Sequence, residues 1–282
     1  MIYQLINRIL TLFLLAGTTL VLLFVVFSGS VNSFPFTNFY WLQARTNGLS
    51  DNDISRWTFW GICTPDSYDS DKNGNCDSLG PDYPLSPYDN FGNSTALPVD
   101  FSNNRDTYFY LSRFAFPMIL IALVFSGVSF ICAIFQSCWA SMKQVMIFFL
   151  CLGLLFCAAG VSCETAVTVL ARNAFKDAGY DAKLGATMLG ISWAAVASLL
   201  IVFFLSCCST MYKAYKTHKS QVNPYDPNIA LESQPPLPQM SQLNQIQEDP
   251  LQHQQRGTFG SEGGIRFFKV KRNNKGNDEE SI

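Results

Sequence analysis

Four long apolar runs, separated by polar stretches, dominate the pattern of the chain. The runs are Leu10–Phe27, Phe114–Phe135, Val145–Leu170 and Gly185–Cys208. A helix needs about 20 apolar residues to cross the hydrocarbon core of a bilayer, and each run is close to this length or longer. The pattern therefore predicts a membrane protein with an all-α four-helix transmembrane bundle, whose even number of spans places both termini on the same side.

Basic residues near the spans indicate how the bundle is oriented. They occur before the first span, in the middle loop and after the fourth span, as Arg8, Lys143, Lys213, Lys216 and Lys219. Because basic loops are retained in the cytoplasm, both termini are predicted to be cytoplasmic. The predicted cytoplasmic segments are then 1–9, 136–144 and 209–282, and the predicted extracellular loops are 28–113 and 171–184.

The first apolar run has a second interpretation, as a signal peptide that is cleaved. Arg8 precedes the run and small residues follow Phe27, as in a secretory signal. The apolar region of such signals usually has about 7–15 residues, so the longer run Leu10–Phe27 favours a retained span. Cleavage would also remove a packing partner from the bundle.

Composition and the placement of histidine argue against catalysis. Only 14% of the residues are charged, against about a quarter in a soluble domain. Both histidines, His218 and His253, lie in the tail, so no histidine-based triad or metal site can form outside the membrane. The chain also lacks a phosphate-binding glycine motif. We therefore expect no enzyme activity, no cofactor and no nucleic-acid partner.

Glu164 is the single ionisable side chain, cysteine apart, within the four apolar runs. It lies near the predicted outer end of the third span, where it would pair with Arg172 or Arg113 or reach water. An ion pathway is the alternative, because intramembrane carboxylates often mark such paths. The absence of a second ionisable group at mid-depth favours the structural interpretation.

Small residues recur every four positions along the fourth span, as Ala186, Gly190, Ala194 and Ser198. Helices in a bilayer associate by close packing at small residues. We expect this stripe to make a helix-packing contact within the bundle. A homo-oligomer contact between two copies of the chain is the alternative.

The long outer loop has the composition of a small extracellular antiparallel β-sheet. Aromatic and β-branched residues alternate partially in FPFTNFYWLQ and RWTFWGIC, and Asn73-Gly74 is a strong signal for a two-residue hairpin turn. Of nine cysteines, only Cys63 and Cys76 lie in the predicted extracellular loops, where the surroundings are oxidising. They are predicted to form a disulfide, which contributes about 3 kcal/mol in the loop-entropy model.

The segment DSDKNGNCDS raises the question of calcium binding. Asp69, Asp71 and Asn73, followed by Gly74, fit the opening of a calcium loop, but the twelfth position is Gly80 instead of a glutamate. A hydrated acidic hairpin tip is the favoured interpretation. A weak calcium site that uses Asp69, Asp71, Asn73 and Asp77 is the alternative.

Three further sites follow from short motifs. Asn93 begins the single glycosylation sequon of the chain, Asn93-Ser94-Thr95. The segment IRFFKVKR is predicted to bind an anionic inner leaflet, including phosphoinositides, through Arg266, Phe267, Phe268, Lys269, Lys271 and Arg272. A solvated basic run is the alternative there. S-palmitoylation is the alternative to unmodified thiols at Cys138, Cys207 and Cys208.

Several motifs carry a resemblance to known families. Trp41, then Trp60-x-x-Cys63, then Cys76 resembles the W-x-W-x-x-C-x-C signature of claudin-like tetraspan proteins. FYWLQ, RWTFWGIC, YPLSPYDNF, RDTYFYLSRF and LGATMLGISWA resemble the fungal Sur/PalI family, and within it the Sur-type proteins. The resemblance returns at GIRFFKVKR near the carboxyl end.

The resemblance implies a location and a role. Sur-type proteins occupy eisosome-associated cortical patches of the fungal plasma membrane that are rich in sterol and sphingolipid. It implies a membrane organiser with eisosome scaffold proteins as partners, which supports endocytosis, cell wall synthesis and morphogenesis. The PalI branch implies the alternative of a sensor of ambient pH or membrane stress. A transporter is less favoured, because the spans lack paired polar groups.

Overall fold

Four long helices form the membrane-spanning part of the chain. The computed structural model describes residues 2–31, 33–92, 95–136 and 141–222. Within them the long helices are α1 (Ile2–Val26), α4 (Arg105–Phe135), α5 (Met142–Asp177) and α6 (Ala186–Val222), while α2 (Pro87–Phe91) and α3 (Val99–Asn103) are short. All four long helices are apolar enough to cross a bilayer. The predicted four-helix bundle is therefore confirmed.

The long helices bury a common apolar core. Helix α4 packs along α5, and α1 packs against both α4 and α6. Fully buried side chains from all four helices meet there, namely Leu15, Leu22, Ile119, Leu150 and Leu199. Helix α1, the first predicted span, thus packs into the core of the bundle as a retained span would.

A close approach between α4 and α5 is made at a small residue on α5. A Cβ atom added at Gly160 would lie 2.8 Å from Ile119 Cγ1 and 3.1 Å from the carbonyl oxygen of Ala115. Small residues allow two helix backbones to come together where water provides no driving force. The glycine at position 160 therefore lets α4 and α5 pack closely at this point.

The small-residue stripe on α6 does not make the predicted contact within the bundle. Ala186, Gly190 and Ala194 are exposed, and Ser198 is only half-buried. The expectation that they pack inside the bundle is wrong, because larger side chains on another face of α6 fill the core beside α1. These inward residues include Met188, Leu199 and Val202. The homo-oligomer interpretation of the stripe stays a prediction.

A five-stranded antiparallel sheet covers one end of the bundle. Its strands are β1 (Leu42–Arg45), β2 (Ile54–Thr58), β3 (Gly61–Thr64), β4 (Asn75–Ser78) and β5 (Ala182–Leu184). They lie in the order β4-β3-β2-β1-β5. The predicted small sheet is thus confirmed, and it gains a strand from the second outer loop that the sequence pattern did not reveal.

The predicted two-residue hairpin turn at Asn73-Gly74 is wrong. Strand β3 ends at Thr64 and β4 begins at Asn75, so the connection covers residues 65–74. Gly74 has a φ of +71°, and a Cβ there would lie 2.1 Å from the carbonyl oxygen of Thr64. The glycine is required where this loop returns to the sheet, while Asn73 is buried beneath the loop instead of turning in solvent.

The sheet rests on parts of the helices that extend beyond the predicted spans. Helix α4 begins at Arg105 and α5 continues to Asp177, because helical hydrogen bonding does not stop where the apolar run ends. Trp57 packs against Phe175 of α5 and Phe91 of α2, with ring centroids 5.8 and 5.7 Å apart. These extensions form a second apolar cluster that supports one face of the sheet.

The contrast between Gly160 and Gly190 yields a test of the bundle. Gly160→Ala forces a methyl group against Ile119 and should lower the free energy of unfolding by about 1–3 kcal/mol. Gly190→Ala is the matched control, because a Cβ at Gly190 meets nothing within 4 Å. It should be neutral or stabilise the helix by up to about 1 kcal/mol. Thermal unfolding of the purified chain in detergent measures both, and equal effects would contradict this packing.

Candidate functional site

The predicted disulfide is present and closes the base of the loop at residues 65–74. Cys63 on β3 and Cys76 on β4 are direct partners in the strand register, and their sulfur atoms are bonded. Cys63 is fully buried. The prediction from cysteine placement is confirmed, and the bond holds the two ends of this loop together.

The two tryptophans of the motif lie where the sheet meets the helices. Trp41 is buried, with its ring 4.9 Å from that of Phe59. Trp60 Nε1 donates a hydrogen bond of 2.7 Å to the carbonyl oxygen of Val26, and its ring stacks on Phe27. The last carbonyls of a helix have no partner within the helix, so Trp60 satisfies one of them at the end of α1.

Arg56 is a buried cation at the centre of the sheet. Its Nε donates to Gln43 Oε1 at 2.6 Å, its Nη1 donates to the carbonyl oxygen of Lys72 at 2.6 Å, and its Nη2 donates to that of Ser70. The guanidinium carbon lies 4.5 Å from the centre of the Tyr40 ring. Burial lowers the pKa of Arg56, and Tyr40 and Asp71 oppose that effect. These hydrogen bonds from the guanidinium hold the loop at residues 65–74 against the sheet.

A second set of contacts holds the same loop from the side. Gln43 Nε2 and Lys183 Nζ both donate to the carbonyl oxygen of Tyr68, at 2.8 and 2.7 Å. Arg45 and Lys183 lie over the Tyr68 ring, at 4.8 and 4.6 Å from its centre. Burial raises the pKa of the Tyr68 hydroxyl. Because Lys183 belongs to β5, these contacts connect the second outer loop to the first.

The oxygens of the calcium-like motif do not converge on one point. The side chains of Asp69, Asp71 and Asp77 are exposed, whereas Asn73 is buried and its Oδ1 lies 3.4 Å from Arg56 Nη1. In the part of the chain that the structure describes, no three His, Cys, Asp or Glu side chains are grouped closely enough to hold a metal ion. The inward oxygens of this loop accept hydrogen bonds from a guanidinium, so these side chains do not form the weak calcium site of the alternative interpretation.

Glu164 lies inside the bundle without the predicted ion pair. Its side chain is only 2% exposed, and its Oε2 has no hydrogen-bond partner. Arg113, one predicted partner, binds Asp82 Oδ2 through Nε at 3.1 Å. The expectation of an ion pair or a hydrated carboxylate is wrong, because helical spacing places Glu164 on the buried face of α5 with Gly160 and Thr168.

Two central residues were not found from the sequence. Arg56 is a lone basic residue within the aromatic segment RWTFW, and an acidic loop follows it in the chain. A charge in an otherwise apolar strand is costly unless it is paired, and this signal could have identified Arg56. The role of Asn73 had no such signal, because its sequence neighbours match a turn and a calcium loop equally well.

Other predicted residues lie outside the described part of the chain or are untested. Asn93, Cys138 and the segment Ile265–Arg272 fall outside it, so glycosylation of Asn93, an unmodified thiol at Cys138 and lipid binding by the segment stay predictions. At the other end of the bundle, Cys207 is half-buried and Cys208 is exposed. Unmodified thiols stay the prediction at these two residues, with palmitoylation as the alternative.

Comparison with known proteins identifies close relatives. A family model described as the SUR7/PalI family matches residues 7–205. Protein SUR7 of Candida albicans is 45% identical over 273 residues, which are 96% of this chain and 97% of that protein. Protein SUR7 of Saccharomyces cerevisiae is 39% identical over 206 residues, 72% of this chain and 67% of that protein. The "Uncharacterized plasma membrane protein YNL194C" of Saccharomyces cerevisiae is 31% identical over 276 residues, 94% of this chain and 88% of that protein.

The buried position of Arg56 generates a prediction with a matched control. Arg56→Lys retains the charge but cannot supply the three directed hydrogen bonds, so the free energy of unfolding should fall by about 3 kcal/mol. Arg45→Lys is the control. Arg45 is 44% exposed and pairs with Asp181, so its replacement should cost less than about 1 kcal/mol. Thermal unfolding and limited proteolysis of the loop measure the difference, and similar losses for both variants would contradict the role of Arg56.

Proposed function

Because the chain belongs to the SUR7/PalI family, we propose that it is a non-enzymatic organiser of eisosome-associated compartments in a fungal plasma membrane. In this role it supports endocytosis, cell wall synthesis and morphogenesis. Its partners are sterol, sphingolipid and phosphoinositide lipids, together with eisosome scaffold proteins. One relative's name includes the words plasma membrane, which supports this location.

The lining of the bundle supports an organiser more than a transporter. Its buried hydroxyl groups mostly donate to carbonyl oxygens of their own helix, for example Thr18 to Leu14 and Ser192 to Met188, each at 2.8 Å. A transport path needs polar groups that remain free to exchange partners with a solute. Among the Asp, Glu, Lys, Arg and His residues of the four described long helices, Glu164 is the only one that is buried. The helix interior is therefore built for packing.

The sheet supports the same proposal from outside the bundle. A buried guanidinium, a disulfide and a strand from each outer loop hold it in one arrangement. Such a rigid surface is suited to lateral contact with lipids and neighbouring proteins, since little conformational entropy is lost on binding. The exposed small-residue stripe of α6 is consistent with a homo-oligomer.

The family also offers a sensor of ambient pH or membrane stress as an alternative. One observation favours it, namely the buried and unpartnered carboxyl of Glu164. A sensor needs a signalling contact in the cytoplasm, whereas an organiser needs only a stable place in the membrane. The two functions therefore differ in what happens to the membrane when the protein is absent.

Imaging distinguishes these functions. A tagged copy at native expression should form immobile cortical patches that coincide with an eisosome scaffold marker, and its deletion should disperse the lipids or proteins of these patches. Uniform or vacuolar fluorescence would count against the organiser. Intact patches after deletion, combined with loss of a transcriptional response to external pH, would favour the sensor instead.

The basic segment of the tail yields a second test. A peptide covering residues 263–275 should bind vesicles that contain phosphoinositides, because each basic side chain contributes about 1 kcal/mol near an anionic surface. Binding should weaken steeply as salt rises. A matched peptide with Phe267 and Phe268 replaced by Ala keeps the charge and isolates the aromatic contribution. Equal binding to neutral and anionic vesicles would contradict the electrostatic mechanism.

A further inference from the structure

Residues 33–39, here called the aromatic loop, return toward the membrane after α1 ends. The ring of Phe36 lies 5.7 Å from that of Phe24, and the ring of Phe39 lies 6.5 Å from it. Phe24 belongs to the last turns of α1, within the candidate span Leu5–Val26. The aromatic loop therefore lies beside the span at the depth of its final turns, and not above it.

The side chain at the start of this loop is unusually exposed. Phe34 is 91% exposed, although it is one of the largest apolar residues. On the outward face of α1, beside which the ring of Phe36 packs, Leu20, Leu23 and Phe27 are also exposed. Helix α1 is long and apolar enough to cross a bilayer, so its outward face contacts lipid. Apolar side chains exposed at the same depth meet the same surroundings.

The surrounding sequence lacks charge over an unusual length. No charged residue occurs between Arg8 and Arg45. The uncharged stretch thus continues through the aromatic loop and into β1, well past the end of α1 at Val26. Charged side chains are costly in the apolar part of a bilayer, so their absence is expected of a segment that remains there.

The protein itself supplies hydrogen-bond partners for four backbone carbonyls of the aromatic loop, those of Ser33, Phe36, Thr37 and Phe39. Phe36 N donates to the carbonyl oxygen of Ser33 at 2.9 Å. The buried Asn73 donates from its backbone N to the carbonyl oxygen of Thr37 at 2.6 Å, and from Nδ2 to those of Phe39 at 3.0 Å and Phe36 at 3.5 Å. In lipid, irregular backbone is tolerated only where such internal partners replace water. Asn73 therefore has the role of a membrane-depth partner and not of a calcium ligand.

We propose that the aromatic loop is inserted in the leaflet next to the sheet, with Phe34 among the lipid acyl chains. The sheet would then be attached to the membrane surface beside α1 as well as through the four helices. Asn73 holds the loop at that depth, and Arg56 and the disulfide hold Asn73. This inference concerns the position of one segment in the bilayer and does not depend on the proposed organiser function.

Fluorescence quenching tests the position of Phe34. The full chain is placed in lipid nanodiscs, with or without bromine atoms on the acyl chains, and the emission added by Phe34→Trp is obtained by subtracting that of the parent. Leu20→Trp, on the outward face of α1, is the positive control. Val99→Trp is the negative control, because Val99 is 69% exposed in α3, which precedes α4. The proposal expects brominated lipid to quench the added emission of Phe34→Trp as strongly as that of Leu20→Trp. The added emission of Val99→Trp should be the same with and without bromine.

Failure of quenching at position 34 while Leu20→Trp is quenched would overturn the proposal. A second measurement identifies the molecule that Phe34 touches. A photoreactive phenylalanine analogue at position 34 should form adducts with the mass of a lipid in native membranes. Adducts with another protein in place of lipid would likewise overturn the proposal.

The role of Asn73 is tested by Asn73→Asp in the Phe34→Trp background. Aspartate keeps an acceptor for Arg56 but removes the Nδ2 donor to Phe39. The proposal expects quenching at position 34 to fall toward the value of Val99→Trp, with the disulfide still formed. Undiminished quenching would show that Asn73 does not hold the loop and would overturn that part of the inference.

Discussion

A single buried guanidinium is the interaction on which the outer part of the molecule depends. Arg56 lies within the sheet and binds carbonyl oxygens of the connection between β3 and β4. A buried charge is tolerated only when its hydrogen-bonding capacity is filled, so this connection must fold back over the strand. The fold of residues 65–74 is therefore a consequence of solvating Arg56 inside the protein.

The same fold-back links the sheet to the bundle. It positions Asn73 against the backbone of residues 37–39, and these residues pack on the end of α1. Trp60, in the turn between β2 and β3, contacts the same end of α1. Strand β5 then connects β1 to the segment between α5 and α6. Each of these contacts joins parts of the chain that are distant in sequence, so the sheet and the helices stabilise each other.

The sequence predicted the features that depend on local composition. The four spans follow from the length of apolar runs, and the disulfide follows from the two cysteines in the predicted extracellular loops. The errors concern features that depend on which surfaces face each other. Glu164 and the stripe at Gly190 occupy faces whose burial is decided by the neighbouring helices. Asn73 matched a turn by its neighbours, but Arg56 and the segment at residues 37–39 determine its position.

The place of β5 in the sheet has a consequence for the order of folding during synthesis. Strands β1 to β4 and their disulfide belong to the first outer loop, whereas Ala182–Leu184 follows the third span. One edge of β1 must therefore remain unpaired while α4 and α5 are made and inserted. An open strand edge readily pairs with other chains. The nascent protein consequently passes through a stage in which this edge is unpaired, and the stage ends only when β5 has been made.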